Sequence, residues 1–69
     1  MYEATLHYPD SEYDGIVGIG RTAREAAEHV AVTLSGFTGI WYRVDFDCCH
    51  VYREFMPNVG HSITVVERV

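Results

Sequence analysis

The chain has 69 residues, of which 48% are hydrophobic, and a formal net charge of −5. This length predicts one small domain spanning residues 1–69, with a thin core. The chain has ten acidic residues but only five arginines and no lysine, so it has no basic stripe. We therefore expect no nucleic-acid ligand. No apolar run approaches the roughly 20 residues of a membrane span.

The cysteine pattern and the first residues bear on the compartment. Cys48 and Cys49 are neighbours, and a bond between adjacent cysteines closes no loop. The stretch of residues 1–6 shows neither the basic nor the apolar region of a signal peptide. These features predict a cytoplasmic protein. The exclusive use of arginine is typical of a high-GC genome, such as that of an actinobacterium or its phage.

Two strands are predicted before residue 21. Apolar and polar residues alternate over residues 2–8, which is the pattern of a strand with one buried face. Pro9 ends this strand, and residues 9–12 have turn chemistry. Residues 13–20 resume an extended pattern in which Gly18 indicates a weak strand or a close backbone approach. The two strands are expected to form a hairpin.

A helix follows this hairpin. Thr22 and Glu25 have the spacing of a capping box. Small and apolar residues then recur at helical spacing (Ala23, Ala26, Ala27, Val30 and Leu34). Gly36 is the predicted C-terminal stop, and Phe37 is expected to pack back on the last turn. The small-residue face predicts a helix that lies close to the sheet.

The second half contains the clearest strand, over residues 40–48, where apolar and polar residues alternate. Residues 48–56 fit either a further strand or a short helix, and the β-forming Val51 and Tyr52 favour the strand. Residues 57–60 are predicted to turn, and residues 62–69 to form the last strand. The expected fold is α+β, with an antiparallel sheet of four to five strands and one helix on one face. The element order is β-β-α-β-β-β, or β-β-α-β-α-β if residues 48–56 are helical.

Trp41 is predicted to lie on the strand face opposite Tyr42, Val44 and Phe46. If that face is exposed, Trp41, Arg43 and Asp45 form a surface of an aromatic ring and charged groups. Tryptophan and arginine are enriched among the residues that dominate binding energies at interfaces. The sequence thus predicts an interface at Trp41, Arg43 and Asp45.

A second hypothesis is a metal- or anion-binding site. Cys48, His50 and His61 are of the residue types that bind zinc, although the spacing differs from the usual pairs of ligands. Cys48 also fits a small core residue at the end of the buried face of the third strand. Arg21 and Arg24 near the helix N-terminus could hold an anion, but a turn followed by a helix cap explains the same residues. The first expectation is therefore no metal and no cofactor.

Residues 1–35 resemble the N-terminal part of HicB-like antitoxins. The features in common are the aromatic first strand, the acidic turn into Asp14-Gly15, and Gly20-x-Thr22-x-x-Glu25-Ala26 at the start of a helix. The resemblance implies a sheet with one helix on it, in a family whose members bind a small toxin RNase and dimerise. The third strand and Pro-rich turn usual before the helix in that family are missing, and no residue role is carried over.

Together these features predict a small acidic interaction or regulatory module, phage-encoded and acting on a host protein. A protein partner and a homodimer or higher oligomer are expected. The sequence shows no nucleophile elbow and no set of oxyanion donors, so we expect no enzyme activity.

Overall fold

The structure is a computed structural model that describes residues 1–54 and 56–68. The described residues form five strands and one helix: β1 (Tyr2–Leu6), β2 (Val17–Gly20), α1 (Ala23–Thr38), β3 (Tyr42–Asp45), β4 (His50–Arg53) and β5 (Met56–Glu67). The strands form one sheet in the order β2-β1-β5-β4-β3, and every neighbouring pair is antiparallel. This arrangement confirms the α+β fold with the order β-β-α-β-β-β. None of the described helical residues forms a segment with the length and apolar character needed to cross a bilayer.

Residues 50–53 form β4, which pairs with β3 on one side and with β5 on the other. The strand interpretation of this region is confirmed and the helical alternative is wrong. Val51 is fully buried in the core, so its β-branched side chain contributes to one face of the sheet. Phe55 and Val69, which belong to the predicted elements, lie outside the described residues.

Helix α1 begins with the predicted capping box. The Thr22 hydroxyl accepts a hydrogen bond from the Glu25 amide at 3.1 Å, and the Glu25 carboxylate accepts one from the Arg21 amide at 3.3 Å. The prediction that Gly36 ends the helix is wrong. The helix runs on to Thr38, and Gly39, with φ of 72°, forms the left-handed cap because glycine adopts this conformation without a Cβ penalty.

The helix lies close to β2 at two glycines, as its small-residue face predicts. A Cβ atom at Gly18 would lie 2.5 Å from the Ala26 carbonyl oxygen, and one at Gly20 would lie 2.5 Å from the Ala26 amide nitrogen. No side chain fits in that space. Gly18 therefore marks a close backbone approach, and the glycines of β2 let the helix pack against the strand.

The core lies between α1 and the sheet face that it covers. Leu6, Leu34, Val30 and Val51 are the largest fully buried side chains. Half-buried rings such as Tyr2, Tyr42 and Phe46 surround this core. A helix on one face leaves the other face of the sheet to polar or partly exposed residues.

Residues 57–60, predicted to turn, lie within the bounds of β5, which begins at Met56. The pairing with β4 is irregular there, because the consecutive residues Tyr52 and Arg53 lie opposite Gly60 and Met56. Gly60 is a strand residue directly opposite Tyr52. A Cβ at Gly60 would lie 2.5 Å from the Tyr52 ring, so the ring covers the backbone there. Composition alone favoured a turn, whereas the space taken by this ring explains a glycine inside a strand.

Candidate interaction surface at the β3 edge

Trp41, Arg43 and Asp45 all lie at the exposed side of β3, which is an edge strand of the sheet. Trp41 directly precedes the strand, and 68% of its surface is exposed. Arg43 and Asp45 alternate with the half-buried Tyr42 and Val44, so the pleat directs their side chains away from the core. We call Trp41, Arg43, Asp45 and the neighbouring Val32 of α1 the edge patch.

An open groove lies between α1 and β3 beside this patch. It has a volume of about 490 Å³ and is lined by Glu28, Ala31 and Val32 of the helix and by residues 41–44 and Glu54. Val32 is 64% exposed. The exposed side chains of Trp41 and Val32 together form an apolar area that no other described residue covers.

The buried Ser35 holds the helix against the start of β3. Its hydroxyl donates to the Ala31 carbonyl at 2.8 Å and accepts from the Tyr42 amide at 3.0 Å. The Thr38 hydroxyl accepts from the Ile40 amide at 3.2 Å. These bonds fix the short connection between α1 and β3, and with it the position of Trp41.

The charged residues of the edge patch share the outer sheet face with β4. Arg43 is opposite Tyr52, and Asp45 is opposite His50. The hydrogen bond with the Cys48 thiol, followed by desolvation, raises the pKa of the Tyr52 hydroxyl. The Asp45 carboxylate also accepts from the Asp47 amide at 3.1 Å, which orders the turn that follows β3. This part of the patch is thus structured rather than a loose charged loop.

The structure does not bring Cys48, His50 and His61 together as a metal site. Residues 1–54 and 56–68 contain no group of three histidine, cysteine or acidic residues placed to hold a metal ion. His50 pairs with Ser62, so His61, the next residue back along β5, lies on the opposite face of the sheet. The His61 ring stacks on Tyr8 with centroids 3.7 Å apart. The geometry of the described residues therefore gives the metal hypothesis on these three residues no support.

The interpretation of Cys48 as a core residue at the end of the third strand is also wrong. Strand β3 ends at Asp45, and a turn follows over residues 46–49. Cys48 and Cys49 are both exposed free thiols. Cys49 has a φ of 53°, which lets the chain reverse into β4.

The capping box occupies part of the helix N-terminus. Thr22 and Glu25 already accept hydrogen bonds from amides in this turn. The Arg24 guanidinium lies 4.9 Å from the centre of the Phe46 ring, where it makes a cation–π contact. The structure thus uses Arg24 to hold the β3–β4 turn against the helix.

Sequence reasoning missed Val32 and misplaced Phe37. Val32 lies outside the apolar stripe of α1. An apolar residue at such a position indicates an exposed apolar side chain, and this pattern could have identified Val32 from the sequence. Phe37 was expected to pack back on the last turn, but it is a helical residue, is 66% exposed, and stacks on Tyr13 with centroids 6.4 Å apart. Because the helix continues past Gly36, Phe37 extends from its exposed side.

Comparison of this chain with protein-family models, with curated proteins and with solved structures gives no match.

Proposed function

We propose that this chain is a small acidic protein–protein interaction module, without catalysis of its own, that binds through the edge patch. The observation that carries the proposal is the exposure of Trp41, 68% of whose surface is open to solvent next to the groove along α1. Burying a tryptophan removes a large apolar area from water, so a partner that covers Trp41 would gain binding energy.

Three further features support an interaction role. The patch combines an aromatic ring with an arginine, which are typical of binding hot spots. It borders an edge strand, where a partner can pair with the backbone. The resemblance of residues 1–35 to HicB-like antitoxins, whose members bind a small toxin and dimerise, also supports this role.

The proposal places the module in the cytoplasm as a regulator. The absence of a loop-closing pair of cysteines supports this compartment, because Cys48 and Cys49 are adjacent in the sequence. The net charge of −5 favours partners with a basic surface and keeps the chain dissolved.

Photo-crosslinking in cells tests the role of the patch and does not require the partner to be identified in advance. A photoreactive benzoylphenylalanine replaces Trp41 in one variant and Phe37 in a matched control. The control residue is 66% exposed but lies beside Tyr13, away from the groove. We expect a discrete crosslinked species from position 41 and none from position 37.

The mass of the crosslinked species identifies the occupant as a second copy of the chain or another protein. Absence of a discrete crosslink at position 41, or equal crosslinking at both positions, would contradict the proposed binding surface.

A further inference from the structure

The sheet has two edge strands, β2 and β3, and a side chain of the helix engages one of the two outward-facing residues of the first. In β2, His29 of the helix lies against the outward backbone of Ile19. The His29 Nδ1 atom is 3.0 Å from the Ile19 amide nitrogen and 3.2 Å from its carbonyl oxygen. A side chain in this position occupies the groups that a pairing strand would use.

The second edge leaves the middle of β3 open. Glu54 donates its amide to the Trp41 carbonyl at 3.2 Å, and Arg43 faces Tyr52 two residues along. Because hydrogen-bonded pairs alternate along an antiparallel ladder, Arg43 and Asp45 bond to β4 while Tyr42 and Val44 direct their backbone groups outward. The Tyr42 amide donates to Ser35. Among the described residues, no turn, loop or cap hydrogen bond engages the Val44 N–H or C=O.

Val44 lies between a positive and a negative residue, Arg43 and Asp45. Two antiparallel copies of this segment therefore place opposite charges next to each other. In an antiparallel pair of β3 strands centred on Val44, the two Val44 residues exchange both backbone hydrogen bonds. Arg43 of each copy then lies opposite Asp45 of the other. This position is a non-hydrogen-bonded pair, where Cα atoms approach to roughly 4.5 Å and side chains are closest. The two-fold axis therefore relates two equivalent pairs of opposite charges.

The inner side of the strand fits the same arrangement. Val44 of one copy meets Val44 of the other, next to the groove that Ala31 and Val32 line. A strand added at this edge extends the sheet beneath the open flank of α1 and covers apolar surface there. Each chain carries a net charge of −5, which opposes self-association, so the two local charge pairs also offset a general repulsion.

We propose that the chain forms a two-fold symmetric homodimer by antiparallel pairing of β3 with β3 of a second copy, centred on Val44. The proposal rests on the proposed function, because it identifies the partner of the edge patch as a second copy of this chain. The dimer has a continuous sheet of ten strands with both helices on the same face, since each copy contributes the five strands of its sheet.

Charge reversal at the two exposed residues tests this register. Arg43→Asp places two carboxylates opposite each other at both pairs, and Asp45→Arg does the same with two guanidinium groups. Sedimentation velocity over a concentration series measures the dissociation constant of the purified chain. We expect a wild-type dimer of twice 7.8 kDa and at least a ~10-fold weaker dimer for each single variant.

Two recombinations serve as matched controls. The Arg43→Asp/Asp45→Arg double variant restores opposite charges, so it is expected to dimerise like the wild type. An equimolar mixture of the two single variants is expected to form a heterodimer, because all its cross-strand pairs are then opposite in charge. Circular dichroism of each variant verifies that it is folded.

The proposal is overturned if the wild type stays monomeric at every concentration, or if the single variants dimerise as tightly as the wild type. It is also overturned if neither recombination restores the dimer. A monomeric wild type with a crosslink from position 41 to a different protein would remove the dimer while leaving the interaction role in place.

Discussion

At the scale of the residue, His61 is a half-buried ionisable group with a consequence for stability. Its Nε2 atom is buried and has no hydrogen-bond partner among the described residues. Desolvation, with a smaller effect of His50, lowers the pKa of His61 below 6.5. The unfolded chain therefore binds a proton at this site before the folded chain does. The stability that neutral His61 permits is complete above the unfolded pKa and is lost as the pH falls through the folded pKa.

We predict that His61→Phe reduces the loss of stability on acidification. The phenyl ring preserves the stack on Tyr8 and carries no proton to titrate. Urea unfolding of both proteins at about pH 7.5 and about pH 5 gives the change in unfolding free energy for each. The wild type is expected to lose more than the variant. Equal losses in the two proteins would contradict a contribution from His61.

Ser35 is a single buried hydroxyl that connects α1 to β3. We predict that Ser35→Ala lowers the unfolding free energy by about 1–2 kcal/mol, because the Tyr42 amide loses its acceptor. Alanine is the better helix former, so a neutral or stabilising effect would show that water replaces the hydroxyl. Urea unfolding measures the change. Thr33→Ala, at a half-buried position of the same helix, is the control and is expected to have a smaller effect.

At the scale of the element, the two glycines near the end of α1 have opposite roles. Gly36 lies within the helix, and a Cβ added there would have no atom within 4 Å, whereas Gly39 has a φ of 72°. We predict that Gly36→Ala stabilises the protein by about 0.5–1 kcal/mol through helix propensity. Gly39→Ala is expected to destabilise it by about 1 kcal/mol or more, because alanine is strained in the left-handed region.

Thermal unfolding of the two glycine variants beside the wild type measures both effects. Each substitution adds the same methyl group. A difference between the two variants therefore reports the difference between a position within the helix and the left-handed cap. A stabilising Gly39→Ala or a destabilising Gly36→Ala would contradict the position of the helix end.

Local patterns predicted most of the elements, because they reflect interactions within a few residues. Period-two alternation identified β1 and β3, and the Thr22 and Glu25 spacing identified the start of α1. The missed features depend on distant contacts. Gly60 lies inside β5 because the Tyr52 ring takes the space of a side chain, and no pattern within residues 57–60 contains that ring.

The candidate site was predictable in part for the same reason. Alternation indicates the outward direction of Arg43 and Asp45, which the structure shows exposed. The groove next to them requires the helix flank at Val32 to lie alongside Trp41. That proximity depends on how Ser35 joins α1 to β3, and a buried serine looks like any other polar helical residue in the sequence.

At the scale of the whole molecule, each edge of the sheet has one residue whose backbone groups point outward without a partner in the ladder. The Leu6 amide donates to the Ile16 carbonyl at 2.8 Å, so by alternation Val17, opposite Thr5, directs its backbone groups outward at the β2 edge. Val44 does the same at the β3 edge. In a monomer, neither amide donates to a neighbouring strand. Dimerisation through β3 makes them different, because only Val44 gains an acceptor from the second copy.

We therefore predict that amide hydrogen exchange at Val44 slows as the protein concentration rises, while exchange at Val17 does not change. Hydrogen-exchange NMR over a concentration series compares the two amides within one sample, so Val17 is an internal control for pH and temperature. In the Arg43→Asp variant, exchange at Val44 is expected to stay fast across the series. Exchange at Val44 that is independent of concentration, or equal slowing at Val17, would contradict pairing through β3, because a hydrogen bond to a second copy must protect the one amide that it engages.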